Sequence, residues 1–242
     1  MRLDKYLANC YIGSRKEVRD IIRQKRIIVN EKVVSNYDYN VLENYDQVLL
    51  DYKPLIYKEN YYFLLNKPAG YVTSTTDHIN KTVMMLLNDL SSNLVKNLFP
   101  IGRLDKDTEG LLIITTDGRF SHFITSPVNN IKKTYYIEFD GILNDNASKM
   151  IEEGLIDENG VKFKAAILNN ISEHSCYLTI SEGKYHQVKR MMHLVGVVVT
   201  YLKRLKIENI VLPEGLEVGS YIEISQNDIY KLTNFDYNRK GF

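Results

Sequence analysis

Hydrophobic and polar residues follow two different periods along this chain. Leu111, Leu112, Ile113 and Ile114 form a continuous apolar run between Gly110 and the Asp117-Gly118 turn signal, which predicts a short strand buried on both faces. The segments YYFLLN, KTYYIEF, VKFKAAILN and CYLTIS predict further strands. Helical spacing covers residues 82–90, 117–124, 147–154 and 185–195. In the last of these, Val188, Met191, Met192 and Val195 make an apolar stripe, leaving His186, Lys189, Arg190 and His193 on the other side. Strands outnumber helices and do not alternate with them regularly. That pattern favours an α+β domain on a mixed, largely antiparallel sheet over a doubly wound parallel one.

The first 60 residues have a separate logic. Ser14 followed by Glu17 is a capping box, and Val18, Ile21 and Ile22 then fall at helical spacing, so a helix should run from Ser14 to about Gln24. Arg15, Arg19, Arg23 and Arg26 recur along its solvent side. The following RIIVNEKVV predicts a small hairpin turning at Asn30-Glu31. After the strand-like DQVLLDY and the Lys53-Pro54 break, a domain boundary is expected near residues 57–60, giving domains 1–59 and 60–242. No internal repeat or low-complexity tract is present.

Charge changes this picture because it is unevenly spread. The net charge of the 242 residues is only +1, yet residues 1–33 hold nine basic side chains against four acidic ones. Residues 181–206 hold six (Lys184, Lys189, Arg190, Lys203, Arg204 and Lys206) against Glu182 alone, while residues 138–160 carry seven acids and one lysine. Two basic patches on a near-neutral protein suggest a polyanion held at two points; taken singly, either patch could be a solvated face. Cys10 and Cys176 cannot form a multi-bridge framework, so a reducing cytoplasm is the expected compartment. The N-terminus lacks an apolar leader core, and the longest nearly apolar stretch, Leu194 to Leu202, is too short to cross a bilayer. Dinucleotide-binding, P-loop and metal-ligand spacings are all missing, so no cofactor and no metal are expected.

The chemistry concentrates in PIGRLDKDTEGLLIITTDG, residues 100–118, where Asp105 stands in a charged turn directly before the buried strand. On the residues alone, Asp105 is either a catalytic carboxylate or a turn residue bonding its own backbone. GRLDKDTEGLL resembles the motif that carries the nucleophilic aspartate of pseudouridine synthases, in the branch that modifies ribosomal RNA and begins with an S4-type RNA-binding domain. LNKPAGYVTS, KKTYYIEF and ISEGKYHQVKRMMHLVG resemble further segments of that family in the expected order. RLDKYLANC, GSRKEVRDII and IIVNEKVV resemble the S4 (αL-type) domain, although Lys25-Arg26 and Glu31 replace glycines common there.

The resemblance implies a small S4 domain followed by a pseudouridine synthase domain with a cleft across its sheet. It implies that Asp105 acts as nucleophile at C1′ or as the base for an elimination, that Tyr135 lies against the target base, and that Lys189 is the cation beside the carboxylate. Tyr136 is the competitor of Tyr135, since strand alternation sends only one of them into a cleft. Arg103 would help extrude the uridine, which must leave any stack to react. Lys67 and Pro68 suggest a loop supporting the cleft, and Lys67, His186 and Arg190 join Arg103 as candidate substrate-side residues. Arg2, Lys5, Arg15, Lys16, Arg19 and Arg23 are candidate phosphate contacts.

EGKYHQVKRM is closer to the small-subunit branch than to the large-subunit enzymes. The leading expectation is therefore a monomer that isomerises uridine 516 of 16S rRNA, free or within a small-subunit assembly intermediate. Two alternatives stand beside it: a synthase acting on 23S rRNA, and a non-catalytic S4-domain ribosome-binding factor. A hydrolase using Asp105 with His186 or His193 has little support, because no serine or cysteine stands in a nucleophile elbow.

Overall fold

A computed structural model describes residues 1–43 and 45–236. The chain forms two compact units, residues 1–60 with 88–98, and residues 61–87 with those from 99 on. The sequence-based division at 59/60 differs in assigning 88–98 to the second domain.

In the first unit, α1 (Leu3–Asn9) and α2 (Arg15–Arg23) pack on a four-stranded sheet of order β2-β1-β3-β4, with β1 Ile27–Val29, β2 Lys32–Val34, β3 Val48–Leu50 and β4 Lys53–Pro54. Leu3, Leu7, Val18, Ile22 and Ile27 are fully buried and make its core. Helix α2 starts where the capping box puts it: Ser14 Oγ accepts from the Glu17 amide at 3.4 Å and Glu17 Oε2 accepts from the Ser14 amide at 2.7 Å. The β1-β2 turn places Asn30 and Glu31 at φ of +47° and +65°, the primed geometry a two-residue hairpin needs. Glu31 adopts it without glycine's freedom. Asn30 anchors the turn by accepting from the Gln47 amide at 3.0 Å and donating to Asp46 at 2.8 Å. A short helix, α3 (Ser92–Val95), completes the unit.

The second unit is built on a nine-stranded sheet. Its strands are β5 (Tyr62–Lys67), β6 (Phe99–Pro100), β7 (Glu109–Thr115), β8 (Lys133–Gly141), β11 (Ile167–Asn169), β12 (Ser175–Ile180), β13 (Val197–Ile207), β14 (Ile210–Val211) and β15 (Tyr221–Glu223). Strands β9 (Leu155–Ile156) and β10 (Lys162–Phe163) form a separate ribbon. The main order is β11-β12-β8-β13-β7-β5-β15, antiparallel except for the parallel pair β13-β7. The helices are α4 (Gly118–Thr125), α5 (Ala147–Glu153), α6 (Gln187–Leu194) and α7 (Gln226–Thr233). Leu111 to Ile114 are all fully buried, as a strand covered on both faces requires. The architecture is thus α+β with a mixed, largely antiparallel sheet.

Two expectations are corrected, and one strand was not anticipated. Residues 82–90 form only a 3-10 turn at Val83–Leu86, closed by i→i−3 bonds from the Met85 amide to Thr82 O at 3.1 Å and from the Leu87 amide to Met84 O at 3.2 Å. VKFKAAILN is two short strands in different sheets, broken where the Ala166 amide turns to Ile151 O and the Lys164 amide to the Glu182 carboxylate. The longest strand, β13, occupies a stretch whose sequence shows only an apolar start and a group of basic residues.

One row of residues crosses four strands of this sheet. Lys67 on β5 pairs with Gly110 on β7, Gly110 with Arg204 on β13, and Arg204 with Tyr135 on β8. Gly110 has φ +97°, and a Cβ there would overlap the Arg204 carbonyl oxygen and lie 2.9 Å from its nitrogen. Only glycine lets β7 and β13 approach this closely.

Candidate active site

The turn between β6 and β7 carries Asp105, and its backbone is held from two sides. Lys67, with 0% exposure, donates from Nζ to the carbonyls of Thr108 at 2.7 Å, Pro68 at 3.0 Å, Asp105 at 3.1 Å and Lys106 at 3.3 Å. Thr73 clamps the other side, its Oγ1 donating to Leu104 O at 2.9 Å and accepting from the Leu104 amide at 3.1 Å. Burial pushes the Lys67 ammonium down to about 8, against the pull of Asp107, Glu109 and Asp105 in the opposite direction.

Asp105 faces a pocket also lined by Arg103, Tyr135, His186 and Lys189. His186 Nε2 lies 3.6 Å from Oδ1 and Lys189 Nζ 3.7 Å from Oδ2, so each oxygen has a cationic or titratable neighbour just beyond hydrogen-bonding distance. Tyr135 is 7% exposed and lines the pocket, whereas Tyr136 packs edge-on against Tyr177 and Tyr201 and donates to Glu138 at 3.1 Å. Alternation along β8 separates the two tyrosines. Leu202 and Ile180 supply apolar wall.

Helix α6 brings in the cations. It starts at Gln187, two residues later than its sequence pattern suggests, because His186 takes a left-handed conformation with φ +48°. Gln187 fixes this start by accepting from the Lys184 amide at 2.9 Å and donating to buried Glu182 at 3.0 Å. The His186 ring stacks on Tyr185 with centroids 3.8 Å apart.

Several expected site residues are placed differently. Lys67 has its ammonium buried among backbone carbonyls, so it supports the turn and offers nothing to a substrate. Arg190 is engaged by an ion pair with Asp157, by the Phe163 ring at 5.0 Å and by the Tyr185 carbonyl at 3.1 Å. Arg204 is 2% exposed and donates to Leu111 O at 2.8 Å. Lys184 pairs with Glu182 at 3.3 Å. The second basic patch is therefore largely internal pairing, with less free charge than the sequence count implied.

Sequence reasoning also missed Asp107. Lys189 Nζ sits 2.7 Å from both of its carboxylate oxygens, and this hydrogen bonding outweighs burial to hold Asp107 below the ordinary carboxylate range. Its only signal was its position two residues after Asp105 in the same motif.

In the first unit, Arg2, Lys5, Arg15 and Arg19 line a cavity of about 250 Å³ around Asp4. Burial raises the Asp4 carboxyl, but hydrogen bonds from Arg2 at 2.9 Å and Arg19 at 3.2 Å outweigh it and keep the group below its usual range. Arg19 also lies 4.9 Å from the Tyr37 ring centre. Lys16 is not part of this cavity, and Arg23 pairs with Asp20 at 3.1 Å. Among the described residues no three His, Cys, Asp or Glu side chains cluster as metal ligands, and no helix is long and apolar enough to cross a membrane.

Residues 61–194 match the RNA pseudouridylate synthase family model and residues 1–46 the S4 domain model. The chain is 38% identical over 236 residues to the uncharacterized RNA pseudouridine synthase YtzG of Bacillus subtilis, covering 96% of this chain and 98% of that one. It is 38% identical over 231 residues to the ribosomal small subunit pseudouridine synthase A of Escherichia coli K12, covering 95% and 98%. A crystal structure of a pseudouridylate synthase superposes with TM-score 0.66 at 36% identity, covering 96% of this chain and 99% of that one.

Proposed function

The chain belongs to the RNA pseudouridylate synthase family, and from that premise we propose that it isomerises one uridine of small-subunit ribosomal RNA, uridine 516 of 16S rRNA, with Asp105 as nucleophile. The observation that carries this reading is the Asp105 carboxylate itself. It faces a pocket with a buried tyrosine on one wall and two basic side chains 3.6 and 3.7 Å away, yet neither of those forms a hydrogen bond to it. A carboxylate so placed has basic neighbours close by while its lone pairs remain available to carbon.

In the proposed reaction Asp105 attacks C1′ of a flipped uridine, the C1′–N1 bond breaks, and its electron pair leaves with the uracil. The detached base turns until C5 faces C1′. Bond formation from C5 then expels the carboxylate, C5 loses its proton and N1 gains one, so product and substrate are isomers. Tyr135 packs against the base and its hydroxyl serves the proton transfer. Leu202 and Ile180 limit water around the detached base. Arg103, exposed at the rim, fills the space the uridine leaves, and the basic cavity of the S4 domain, lined by Arg2, Lys5, Arg15 and Arg19, grips phosphates without reading sequence. The division into an S4 domain and a catalytic domain, a monomeric state and a cytoplasmic location complete the proposal.

Pseudouridine mapping of 16S and 23S rRNA tests it, using cells lacking the protein and complemented with wild type or Asp105→Asn. Loss of the 16S site, restored only by wild type, is the expected result. Loss of a 23S site moves the substrate to the large subunit, and an unchanged map with an assembly defect rescued by Asp105→Asn overturns catalysis in favour of a ribosome-binding factor.

A further inference from the structure

Lys189 is centred on the wrong carboxylate for a simple ion pair with the nucleophile. Its Nζ lies 2.7 Å from both oxygens of Asp107 but 3.7 Å from Asp105. The Asp107 side chain is 70% exposed, and exposed ion pairs contribute little to stability. Its consequence is therefore geometric. The lysine stem is flexible, and its ammonium is a point charge that can swing between two neighbouring acids. With Asp107 present, that charge lies close enough to Asp105 to stabilise an anion, yet donates its hydrogen bonds elsewhere.

We propose that Asp107 is a positioning residue that holds Lys189 back from Asp105, keeping the nucleophile charged but free of a direct lysine hydrogen bond; this rests on the reading of Asp105 as nucleophile. Without the Asp107 charge, Lys189 closes the gap and donates to Asp105. A carboxylate oxygen engaged in a charge-assisted hydrogen bond is less basic and less nucleophilic. His186 cannot substitute for this arrangement, since it lies by the other Asp105 oxygen at 3.6 Å. Glu109, the next acid along, already has one carboxylate oxygen engaged, accepting from Tyr201 at 2.7 Å.

The test measures tritium release from a 16S rRNA transcript carrying 5-tritiated uridine, together with ¹³C NMR titration of the labelled aspartate carboxyls. Asp107→Asn is expected to lower kcat about tenfold with KM within about twofold of wild type, and Asp107→Glu to recover most of the loss. The Asp105 titration moves to lower pH in Asp107→Asn, and that movement at least halves when Lys189→Gln is also present, because most of it comes from the lysine approaching. A shift of equal size with and without Lys189 means that Asp107 acts only through its own charge, and overturns the proposal even if Lys189→Gln is inactive. Unchanged kcat in Asp107→Asn also overturns it. Asp105→Asn is run in parallel. Retained activity there removes the nucleophile assignment and this proposal together, whereas its loss beside an unaffected Asp107→Asn removes this proposal alone.

Discussion

Lys67 Nζ lies 3.1 Å from the backbone oxygen of Asp105, so a fully buried cation anchors the turn that carries the candidate nucleophile. Its pKa of about 8 sets a pH window. In the unfolded chain the group titrates near 10.5, so between about 8 and 10.5 the unfolded state binds more protons and folding stability from this group rises with pH. It is fully present above 10.5 and lost as pH falls through 8. Lys133, also pushed down to about 8 by burial and by Arg204, adds a contribution of the same sign. Activity should move the other way, because neutral Lys67 has one donor fewer for four carbonyls. Denaturant melts from pH 7 to 10.5 should show a smaller rise for Lys67→Met than for wild type, and Lys67→Met should lose about tenfold or more in kcat as the turn loosens.

The two adjacent tyrosines of β8 should separate sharply in activity. Tyr135→Phe keeps the ring against the base but removes the hydroxyl, so kcat should fall about 100-fold with KM little changed. Tyr136→Phe removes hydrogen bonds to Glu138 and Ser175 on the opposite face, away from the pocket, and should stay within about twofold of wild type. Steady-state kinetics on one rRNA transcript distinguish them, and a Tyr135→Phe variant as active as wild type would mean that Tyr135 acts through packing alone.

How far the chain could be understood beforehand depended on how local each cause is. Helix α2 follows from Ser14 and Glu17, three residues apart, and β7 from four consecutive buried aliphatics between turn signals. Both are set within a short window. Strand β13 was hidden because Lys203, Arg204 and Lys206 look like a solvated basic patch, while Arg204 is in fact buried in the sheet. A charge count assumes exposure, and tertiary structure reversed it here. The same holds for Lys189, whose partner Asp107 is 82 positions away in the chain. Residues 82–90 carried a helical apolar pattern, but the chain there closes a single 3-10 turn next to the bridge between Thr82 and Val72, a short element that the spacing of apolar residues does not distinguish from a helix.

RNA affinity should depend on salt through the S4-domain cavity. Lys5 and Arg15 line it, and neither is in an ion pair among the described residues. Each of Lys5→Ala and Arg15→Ala should therefore reduce the slope of log K against log salt by about 0.7 on single-stranded RNA. Arg23→Ala should change the slope less, because Arg23 is already paired with Asp20. Fluorescence anisotropy across a potassium chloride series measures this, and identical slopes for all four proteins would place the phosphate contacts elsewhere.

Gly110→Ala should damage stability and activity together, and for one reason. At φ +97° an added Cβ is strained, and it would overlap the Arg204 carbonyl, which is backbone and cannot rotate away. The expected cost is about 3 kcal/mol, or about 6–12 °C in Tm for a chain of this size. Gly118→Ala is the control, since nothing lies within 4 Å of its Cβ position and the first turn of α4 accepts alanine; it should be neutral within about 0.5 kcal/mol. Calorimetry of the two variants gives the stability difference. The activity loss in Gly110→Ala should exceed what unfolding explains at 25 °C, because β7 can relieve the overlap only by moving away from β13. That movement separates Lys67 and the Asp105 turn on one side from Arg204 and Tyr135 on the other, across the row that aligns nucleophile and tyrosine.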